Sequence, residues 1–260
     1  MILRWHPYGA ERGCVRANPV KRGMFRLFGW PQIGPRIRFW YLLDAIGDSQ
    51  PRRILEAGCG WGHMLFGLKR RFPSAELTGV EQDPGELGLE LRIIQATGLQ
   101  AVRLVEATLP DLPVRGRFDL AIVGDVLEYI ADDVEVLRRL RDVLEPSGRL
   151  IVHVPSRISS QRRYLPVSHA IAGHVRPEYT REEILAKVRA AGFEAQRVRV
   201  TFGPWGMLAW EVGRLAERVP LLGSVLFPVL LALARLDLCG TWKDGGGYLI
   251  VATPRETEHG

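Results

Sequence analysis

The chain has 260 residues, of which 47% are hydrophobic and 25% charged, and these ordinary globular values exclude wholesale disorder. Its three cysteines are odd in number and lack metal-ligand spacing, which argues against a disulfide scaffold or a zinc site and favours a reduced, cytoplasmic protein. The N-terminus lacks the continuous apolar core of a signal peptide. The length suffices for one sizeable α/β domain with added elements.

The net charge of +6 is unevenly distributed along the chain. Residues 1–40 contain eight Lys or Arg and one acid, Glu11, and seven aromatic residues are interleaved with them. Basic and aromatic residues together suit an anionic membrane surface or an anionic substrate, and nucleic acid is a less favoured partner. The alternative is an N-terminal cap that packs its aromatic rings on the domain and leaves its arginines in water.

The apolar-periodic stretch from Ile33 to Ile46 predicts a helix, which precedes the segment RILEAGCGWG at residues 53–62. There an apolar run ends in the acid Glu56, and a helical pattern follows from Trp61 to Phe72. Between them stand glycines at alternate positions, Gly58, Gly60 and Gly62. A strand that turns sharply into a helix needs residues without Cβ where the backbone bends and where a ligand touches it. The pattern predicts a cofactor-sized hollow at the carboxyl end of this strand.

The spacing of these glycines differs from that of a dinucleotide-binding turn, G-x-G-x-x-G, whose third glycine would fall at His63. The spacing G-x-G-x-G, with an acid two residues before it, suits a ligand with a positive charge rather than two phosphates. The stretch resembles motif I of the class I S-adenosylmethionine-dependent methyltransferases. The resemblance implies that the methionine part of the cofactor is wrapped by Glu56, Ala57, Gly58, Cys59, Gly60 and Gly62.

Two further acids follow predicted strands. The strand from Ala75 to Val80 is followed by Glu81 and Gln82, which are both assigned to the cofactor site. An acid at position 81 can accept two hydrogen bonds from ribose hydroxyls. The alternative is that Glu81 is a plain surface acid. The next predicted strand, 101–105, is followed by Glu106 and Ala107. This pair resembles the acid-Ala pair of the same family, which implies that Glu106 accepts a hydrogen bond from the adenine amino group; the alternative is that it caps a short turn.

The stretch from Phe118 to Val123 is a continuous apolar run, typical of a strand buried on both faces of a parallel sheet. It leads into GDVLEY, a predicted helix at 132–145 and a fifth strand at 149–154. This block resembles methyltransferases of the ubiquinone-biosynthesis type, which implies that Gly124 and Asp125 belong to the cofactor site. Where the family has the motif Leu-Glu-His, this sequence has Leu127, Glu128 and Tyr129, so a tyrosine replaces the histidine. Since tyrosine has an intrinsic pKa near ~10, Tyr129 is a poor base but can orient a substrate, and no metal site is expected.

A loop from Ser156 to Tyr179 is expected over the carboxyl ends of the strands, where this fold places ligands. It contains His169 and His174, candidates for a base or a substrate contact, whereas His153 lies within a strand and is expected to be packed. Thr180 with Glu183 has the spacing of a capping box, which predicts that a helix begins there. The residues expected to face the acceptor are Glu128, Tyr129 and His174.

Residues 204–240 form an insertion before the last strand. A helix from Trp205 to Val219 is predicted, with Trp205, Leu208, Val212, Ala216 and Val219 on one face and Glu211, Arg214 and Arg218 on the opposite face. Sixteen uncharged residues follow Arg218, interrupted by two prolines, which is too short and too broken for a span of ~20 residues. The insertion is therefore either packed core or an apolar surface for a lipid-like substrate or a membrane.

The expected architecture is an α/β, Rossmann-like class I methyltransferase fold with a seven-stranded, mostly parallel sheet whose last strand is antiparallel. The expected divisions are an N-terminal cap and lid helix (1–50), a cofactor-binding core (51–203), the insertion (204–240), the final strand (241–254) and a tail (255–260). The resemblance implies S-adenosylmethionine as cofactor and O-methylation of a partly apolar, prenylated or lipid-like small molecule. A polar metabolite or glycan as acceptor, or non-catalytic cofactor or RNA binding, are the alternatives. The expected location is cytoplasmic, with membrane contact through residues 1–40 and 204–240.

Overall fold

The structure is a computed structural model that describes residues 32–157, 164–165, 173–176, 178–216 and 220–255. Predictions for residues 1–31, for His169 and for the tail lie outside the described residues. The elements are, in chain order, α1 (Ile33–Ile46), β1 (Arg53–Ala57), α2 (His63–Arg71), β2 (Glu76–Glu81), α3 (Pro84–Thr97), β3 (Val102–Glu106), β4 (Phe118–Gly124), a 3-10 turn (Leu127–Tyr129), α4 (Asp133–Val143), β5 (Leu144–Pro155), α5 (Arg181–Ala190), β6 (Phe193–Thr201), α6 (Pro204–Ala216), α7 (Pro220–Cys239) and β7 (Gly247–Pro254).

The seven strands form one sheet in the order β3-β2-β1-β4-β5-β7-β6. Strands β1 to β5 pair in parallel, whereas β7 runs antiparallel to both β5 and β6. The predicted mostly parallel sheet with an antiparallel last strand is confirmed. The strand order reverses beside β1, so that the carboxyl ends of β1 and β4 lie next to each other at a crevice where open α/β sheets bind ligands.

The core has one layer on each face of the sheet. Ile54 belongs to the layer that includes α1, α2, α6 and α7, whereas its neighbour Leu55 belongs to the layer that includes α4 and α5. This alternation follows from the period of two along a strand, and burial on both faces explains the continuous apolar run in β1 and β4. The α1 helix contributes most of its residues to the first layer, including the fully buried Ile37 and Tyr41.

Local signals explain several helix ends. Asp83 accepts hydrogen bonds from Gly85 N and Glu86 N, and Pro84 follows it in the first turn of α3. The capping box predicted at Thr180 and Glu183 is present at the start of α5. These side chains satisfy backbone N–H groups that a helix leaves without a partner.

The predicted end of α4 and start of β5 were wrong. The helix ends at Val143, and β5 already begins at Leu144, which pairs with Phe118 before a register shift. The helix ends earlier than predicted because Pro146 disfavours helical geometry at Glu145, the residue before it. The last strand, expected within residues 241–254, runs from Gly247 to Pro254.

The predicted faces of α6 were correct only in part: Ala216 is buried and Val212 packs against the core, but the assignments of Trp205 and Glu211 were wrong. Trp205 is 44% exposed, whereas Met207 and Glu211 are buried. Glu211 points inward because its Oε2 accepts hydrogen bonds from Tyr164 N and Leu165 N, at 3.0 and 2.8 Å. The helical pattern places Glu211 on the solvent side. It does not reveal the backbone partners of Glu211, because they lie more than forty residues away in the chain.

The α6 and α7 helices form an antiparallel hairpin, called the α6–α7 hairpin below. A Cβ on Gly206 would lie 2.6 Å from an oxygen of Asp237, and one on Gly213 would lie 3.9 Å from Leu230. The α7 helix continues through Pro228 for 20 residues. Within the described ranges, no helix has the length and apolarity that crossing a membrane requires.

Candidate active site

A cavity of about 500 Å³ lies at the carboxyl ends of β1, β4 and β5. Its floor includes the glycine turn after β1 and the segment after β4. One wall is the start of α1, and a second wall is α6. Its volume lies within the range of ordinary small-molecule and cofactor sites.

The turn after β1 is held against β2. Gly58 N and Cys59 N both donate to Val80 O, at 2.8 and 3.0 Å. Gly58 has a φ of 75°, and a Cβ there would lie 2.5 Å from a methyl group of Val126. Gly60 has a φ of 53° and would place a Cβ in open space, so its backbone is accessible from the cavity. The bend predicted from the sequence is present.

Glu56 is the acid that precedes this turn. It is 5% exposed and lines the cavity, and Oε2 has no hydrogen-bond partner among the described residues. Burial raises its pKa well above the ordinary value, and the nearby Glu90 and Glu81 raise it further. A buried carboxylate without a partner is costly, and a cationic ligand would offset that cost.

The chemistry of this end of the cavity fits S-adenosylmethionine, which carries an ammonium and a sulfonium. Three acids, Glu56, Glu81 and Glu90, influence the pKa of Cys59 in the turn. They would attract a cation and repel the two phosphates of a dinucleotide. The donor set therefore suits the cofactor that the glycine spacing implies.

Glu81 ends β2 as predicted, and its carboxylate binds three backbone N–H groups. Oε2 accepts from Gly60 N at 2.9 Å, and Oε1 accepts from Gln82 N and Asp83 N at 2.9 and 3.1 Å. Glu81 pairs in register with Glu106 of β3, so both acids stand at the carboxyl edge of the sheet. The carboxylate is thus fixed in orientation beside the glycine turn.

The structure brings together only part of the predicted cofactor set. The lining of the cavity includes Glu56, Gly58, Cys59, Gly60, Gly124 and Asp125. The lining does not include Ala57, Gly62, Glu81, Gln82, Glu106 and Ala107. Gly62 instead permits close packing, because a Cβ there would lie 2.7 Å from Glu90 Oε1. The roles of these twelve residues toward a cofactor stay predictions.

An unforeseen network crosses the cavity between α1 and the sheet. One oxygen of Asp125 lies 2.5 Å from His153 Nδ1, and the other contacts the guanidinium of Arg38. His153 Nε2 lies 2.9 Å from Thr201 Oγ1. Burial and the Arg38 charge lower the pKa of His153 to about 3, so the ring is neutral, with Nδ1–H donating to Asp125 and Nε2 accepting from Thr201. The expectation that His153 is a packed residue is consistent with its burial.

The three residues predicted to face the acceptor all line the cavity. Glu128 is 1% exposed, and its Oε2 has no hydrogen-bond partner among the described residues. Burial raises the pKa of Glu128 to about 7, although Arg38 and Arg176 oppose the rise. The rings of Tyr129 and His174 meet edge to face, with centroids 4.7 Å apart. Burial also raises the pKa of Tyr129, so this hydroxyl stays protonated at neutral pH.

The loop that carries His174 is fixed by the buried carboxylate of Asp133. Asp133 accepts hydrogen bonds from Tyr179 Oη and Lys187 Nζ, both at 2.8 Å, and contacts Arg176. Val175 N in addition donates to Glu128 O at 3.0 Å. These contacts position His174 against Tyr129.

Sequence reasoning missed the wall that α6 contributes, formed by Met207, Trp210, Gly213 and Arg214. The Arg214 guanidinium lies 5.9 Å from the centre of the Trp210 ring. Gly34 of α1 lets the two walls meet, because a Cβ there would lie 2.8 Å from Trp210. The glycines at 34 and 213 are the one sequence signal that could have indicated this close approach. Within the described ranges, no group of three or more metal-binding side chains is found.

Residues 55–150 match the family model described as "Methyltransferase domain". The chain is 36% identical over 111 residues to a demethylmenaquinone methyltransferase of Thermus thermophilus, an alignment that covers 42% of this chain and 50% of the relative. It is 28% identical over 203 residues to a ubiquinone biosynthesis O-methyltransferase of Azorhizobium caulinodans, covering 73% and 75%. The chain therefore spans only half of the Thermus relative.

Solved structures show the same fold at low identity. The [4+2]-cyclase SpnF matches with a TM-score of 0.61 and 21% identity, covering 84% of this chain and 81% of that one. A S-adenosylmethionine-dependent methyltransferase from Clostridium acetobutylicum matches with a TM-score of 0.58 and 12% identity, covering 85% and 92%. These likenesses show that the chain has the fold of the class I S-adenosylmethionine-dependent methyltransferases, and that its residues 55–150 are similar to a methyltransferase domain.

Proposed function

We propose that the protein transfers a methyl group from S-adenosylmethionine to a hydroxyl of a small, partly apolar acceptor such as a prenylated phenol or a lipid. The observation that carries the proposal is that one cavity joins the acidic glycine turn, with Glu56 and Gly60, to the cluster of Glu128, Tyr129 and His174. A cofactor cation at the first place would lie within reach of an acceptor at the second.

The bound cofactor would supply an electrophilic methyl group. An acceptor oxygen would bond to the methyl carbon in line as the methyl–sulfur bond breaks, with S-adenosylhomocysteine as the leaving group. In this proposal Glu56 pairs with the ammonium of the methionine part. Glu81 accepts hydrogen bonds from the ribose hydroxyls, and Glu106 accepts one from the adenine amino group. The ion pair of Arg38 with Asp125 holds α1 beside the cavity.

Glu128 is proposed as the general base. A base works best when its pKa lies near the working pH, and burial raises the pKa of Glu128 to about 7. It would take the proton of the acceptor hydroxyl as the oxygen attacks. Tyr129 and His174 would orient the acceptor, with Tyr129 as a hydrogen-bond donor, because its hydroxyl stays protonated.

The apolar character of the acceptor is supported by part of the cavity lining. There the walls come from Ile33 and Pro35 of α1 and from Met207 and Trp210 of α6. An acceptor with an aromatic ring or an alkyl chain would bury apolar surface against them. The exposed Arg214 on the same wall would contact a polar substituent of the acceptor.

A paired assay tests this function. The protein is given labelled S-adenosylmethionine with a catechol that carries a prenyl chain, the same catechol without the chain, or a monosaccharide. We expect release of S-adenosylhomocysteine with the catechols and kcat/KM at least about tenfold higher for the prenylated one, since each buried CH₂ contributes ~0.8 kcal/mol. Preferential methylation of the sugar would favour the polar-metabolite alternative. Cofactor binding without turnover on any acceptor would favour a binding protein.

A further inference from the structure

We infer that the outward face of the α6–α7 hairpin docks on an anionic lipid bilayer. The inference starts from an apolar stripe on α7, formed by Val225, Pro228, Val229, Ala232, Leu236 and Cys239, all of which are exposed. The exposed fractions of Val225, Val229 and Leu236 are 68%, 57% and 53%. With 1.5 Å per residue, the stripe is ~21 Å long.

The inward side of α7 is apolar as well. Phe227, Leu230, Leu231 and Ala234 are at most 6% exposed and pack into the core. A helix that is apolar on both sides is normally covered on both sides, or it meets a membrane. The outward side of α7 is uncovered within the described part of the chain, so this stripe needs an apolar partner.

The charges around the stripe indicate which partner. The two described acids of residues 204–240, Glu211 and Asp237, are both fully buried. Asp237 accepts hydrogen bonds from Tyr41 Oη and Gly203 N, at 2.8 and 2.9 Å. The described outer surface of the hairpin therefore presents apolar side chains and the exposed cation Arg214, but no carboxylate. The third acid of the insertion, Glu217, stands next to Arg218 in the sequence.

The basic N-terminal segment joins the fold beside this hairpin. Residues 1–31 contain six Lys or Arg and one acid, and they lead into α1. Ile33 of α1 meets Gly213 of α6, since a Cβ on that glycine would lie 3.3 Å from Ile33. The Arg36 guanidinium lies 5.3 Å from the ring centre of Phe227 in α7. The described part of the chain thus begins, directly after residues 1–31 in the sequence, where α1 packs on the hairpin.

An anionic bilayer satisfies both features. Its acyl region accepts the apolar stripe, and its anionic headgroups attract Arg214 and the basic residues that precede α1 in the sequence. A second copy of this chain would satisfy the apolar stripe only, because it would bring another net charge of +6. Since α6 also walls the cavity, a lipid-soluble acceptor could enter from the bilayer side; this last step rests on the proposed function.

Flotation of the full chain with vesicles tests the inference, using phosphatidylcholine alone and a 70:30 mixture with phosphatidylglycerol. We expect the bound fraction to be at least about fivefold higher on the mixed vesicles and to fall when salt rises to ~0.5 M. Val229→Asp should reduce binding about fivefold, and Val225→Asp with Val229→Asp should abolish it. Leu91→Asp is the matched control, because Leu91 is 49% exposed on α3, and it should leave binding unchanged.

Two further measurements keep the outcomes distinct. Each variant is checked for its thermal midpoint and for its affinity for S-adenosylhomocysteine. Both values should equal those of the unchanged protein. A loss of vesicle binding can then be distinguished from a loss of the proposed function. Equal binding to both vesicle types, or binding that persists in the double variant, would overturn the inference. So would a dimer in sedimentation velocity that Val229→Asp dissociates, because the stripe would then be covered by a second copy.

Discussion

Asp125 holds His153 through a hydrogen bond of 2.5 Å and, through its other oxygen, holds Arg38 of α1. The carboxylate thereby ties α1, which precedes the first strand, to the end of β4. We expect Arg38→Gln to loosen α1 and to raise the dissociation rate of S-adenosylhomocysteine about tenfold, as the loss of one charge-assisted hydrogen bond implies. Stopped-flow fluorescence measures this rate. Arg92→Gln on the exposed face of α3 is the control, and an unchanged rate in Arg38→Gln would show that this ion pair does not retain the ligand.

Glu56→Gln should have opposite effects on stability and on binding. The pKa of Glu56 is raised in the folded protein, so ionisation above the ordinary value of 4.5 costs folding free energy. We therefore expect the glutamine variant to be more stable than the unchanged protein at pH 8. Its affinity for S-adenosylmethionine should fall about 10- to 100-fold, because the cation loses a buried partner.

Thermal unfolding and calorimetric titration measure these two effects. Glu76→Gln is the control on β2, where the side chain is 70% exposed. If Glu56→Gln binds the cofactor with unchanged affinity, Glu56 has no role in cation binding.

Glu128→Gln should alter the pH profile of methyl transfer. In the unchanged protein, log kcat should rise with pH and level off above about pH 7, where Glu128 is ionised. The glutamine variant should retain cofactor affinity, lose about 100-fold or more in kcat, and lose the inflection near that pH. A variant that keeps the same inflection would assign the titration to another group.

The same variant should change how stability depends on pH. The folded-state pKa of Glu128 is raised above its unfolded value, so the unchanged protein should lose stability as pH rises from about 4.5 to about 7. Glu128→Gln should lose less stability over that interval. Thermal midpoints at pH 5 and pH 8 compare the two proteins, and equal pH dependence would contradict the raised pKa.

Trp210→Ala should affect the acceptor and spare the cofactor. Trp210 lines the α6 wall of the cavity and packs against Gly34 of α1. We expect KM for a prenylated catechol to rise about tenfold or more, with little change in cofactor affinity, because an aromatic wall contributes mainly buried apolar area. Steady-state kinetics and calorimetry separate the two effects. The exposed Trp205 of the same helix, changed to Ala, is the matched control.

The sequence predicted the elements that depend on short-range patterns. The α1 helix from Ile33 to Ile46 and the capping box at Thr180 match the structure, because periodicity and cap chemistry are local. The seven-stranded sheet and the turn with Gly58 and Gly60 followed from the same kind of signal, together with the family resemblance.

The unforeseen parts depend on residues that are distant in the chain. Arg38 meets Asp125, and Asp125 meets His153, across separations that periodicity does not encode. The inward orientation of Glu211 in α6 depends on backbone donors from a different loop. Tertiary contacts of this kind override the tendency of charged residues to face water.

Calorimetric titration of the full chain with S-adenosylmethionine and, separately, with NAD tests the central claim most directly. We expect one site for S-adenosylmethionine, no measurable heat with NAD, and an affinity for S-adenosylmethionine that Glu81→Ala weakens by about 1–3 kcal/mol. Binding of NAD in preference to S-adenosylmethionine, or no binding of either, would contradict the account.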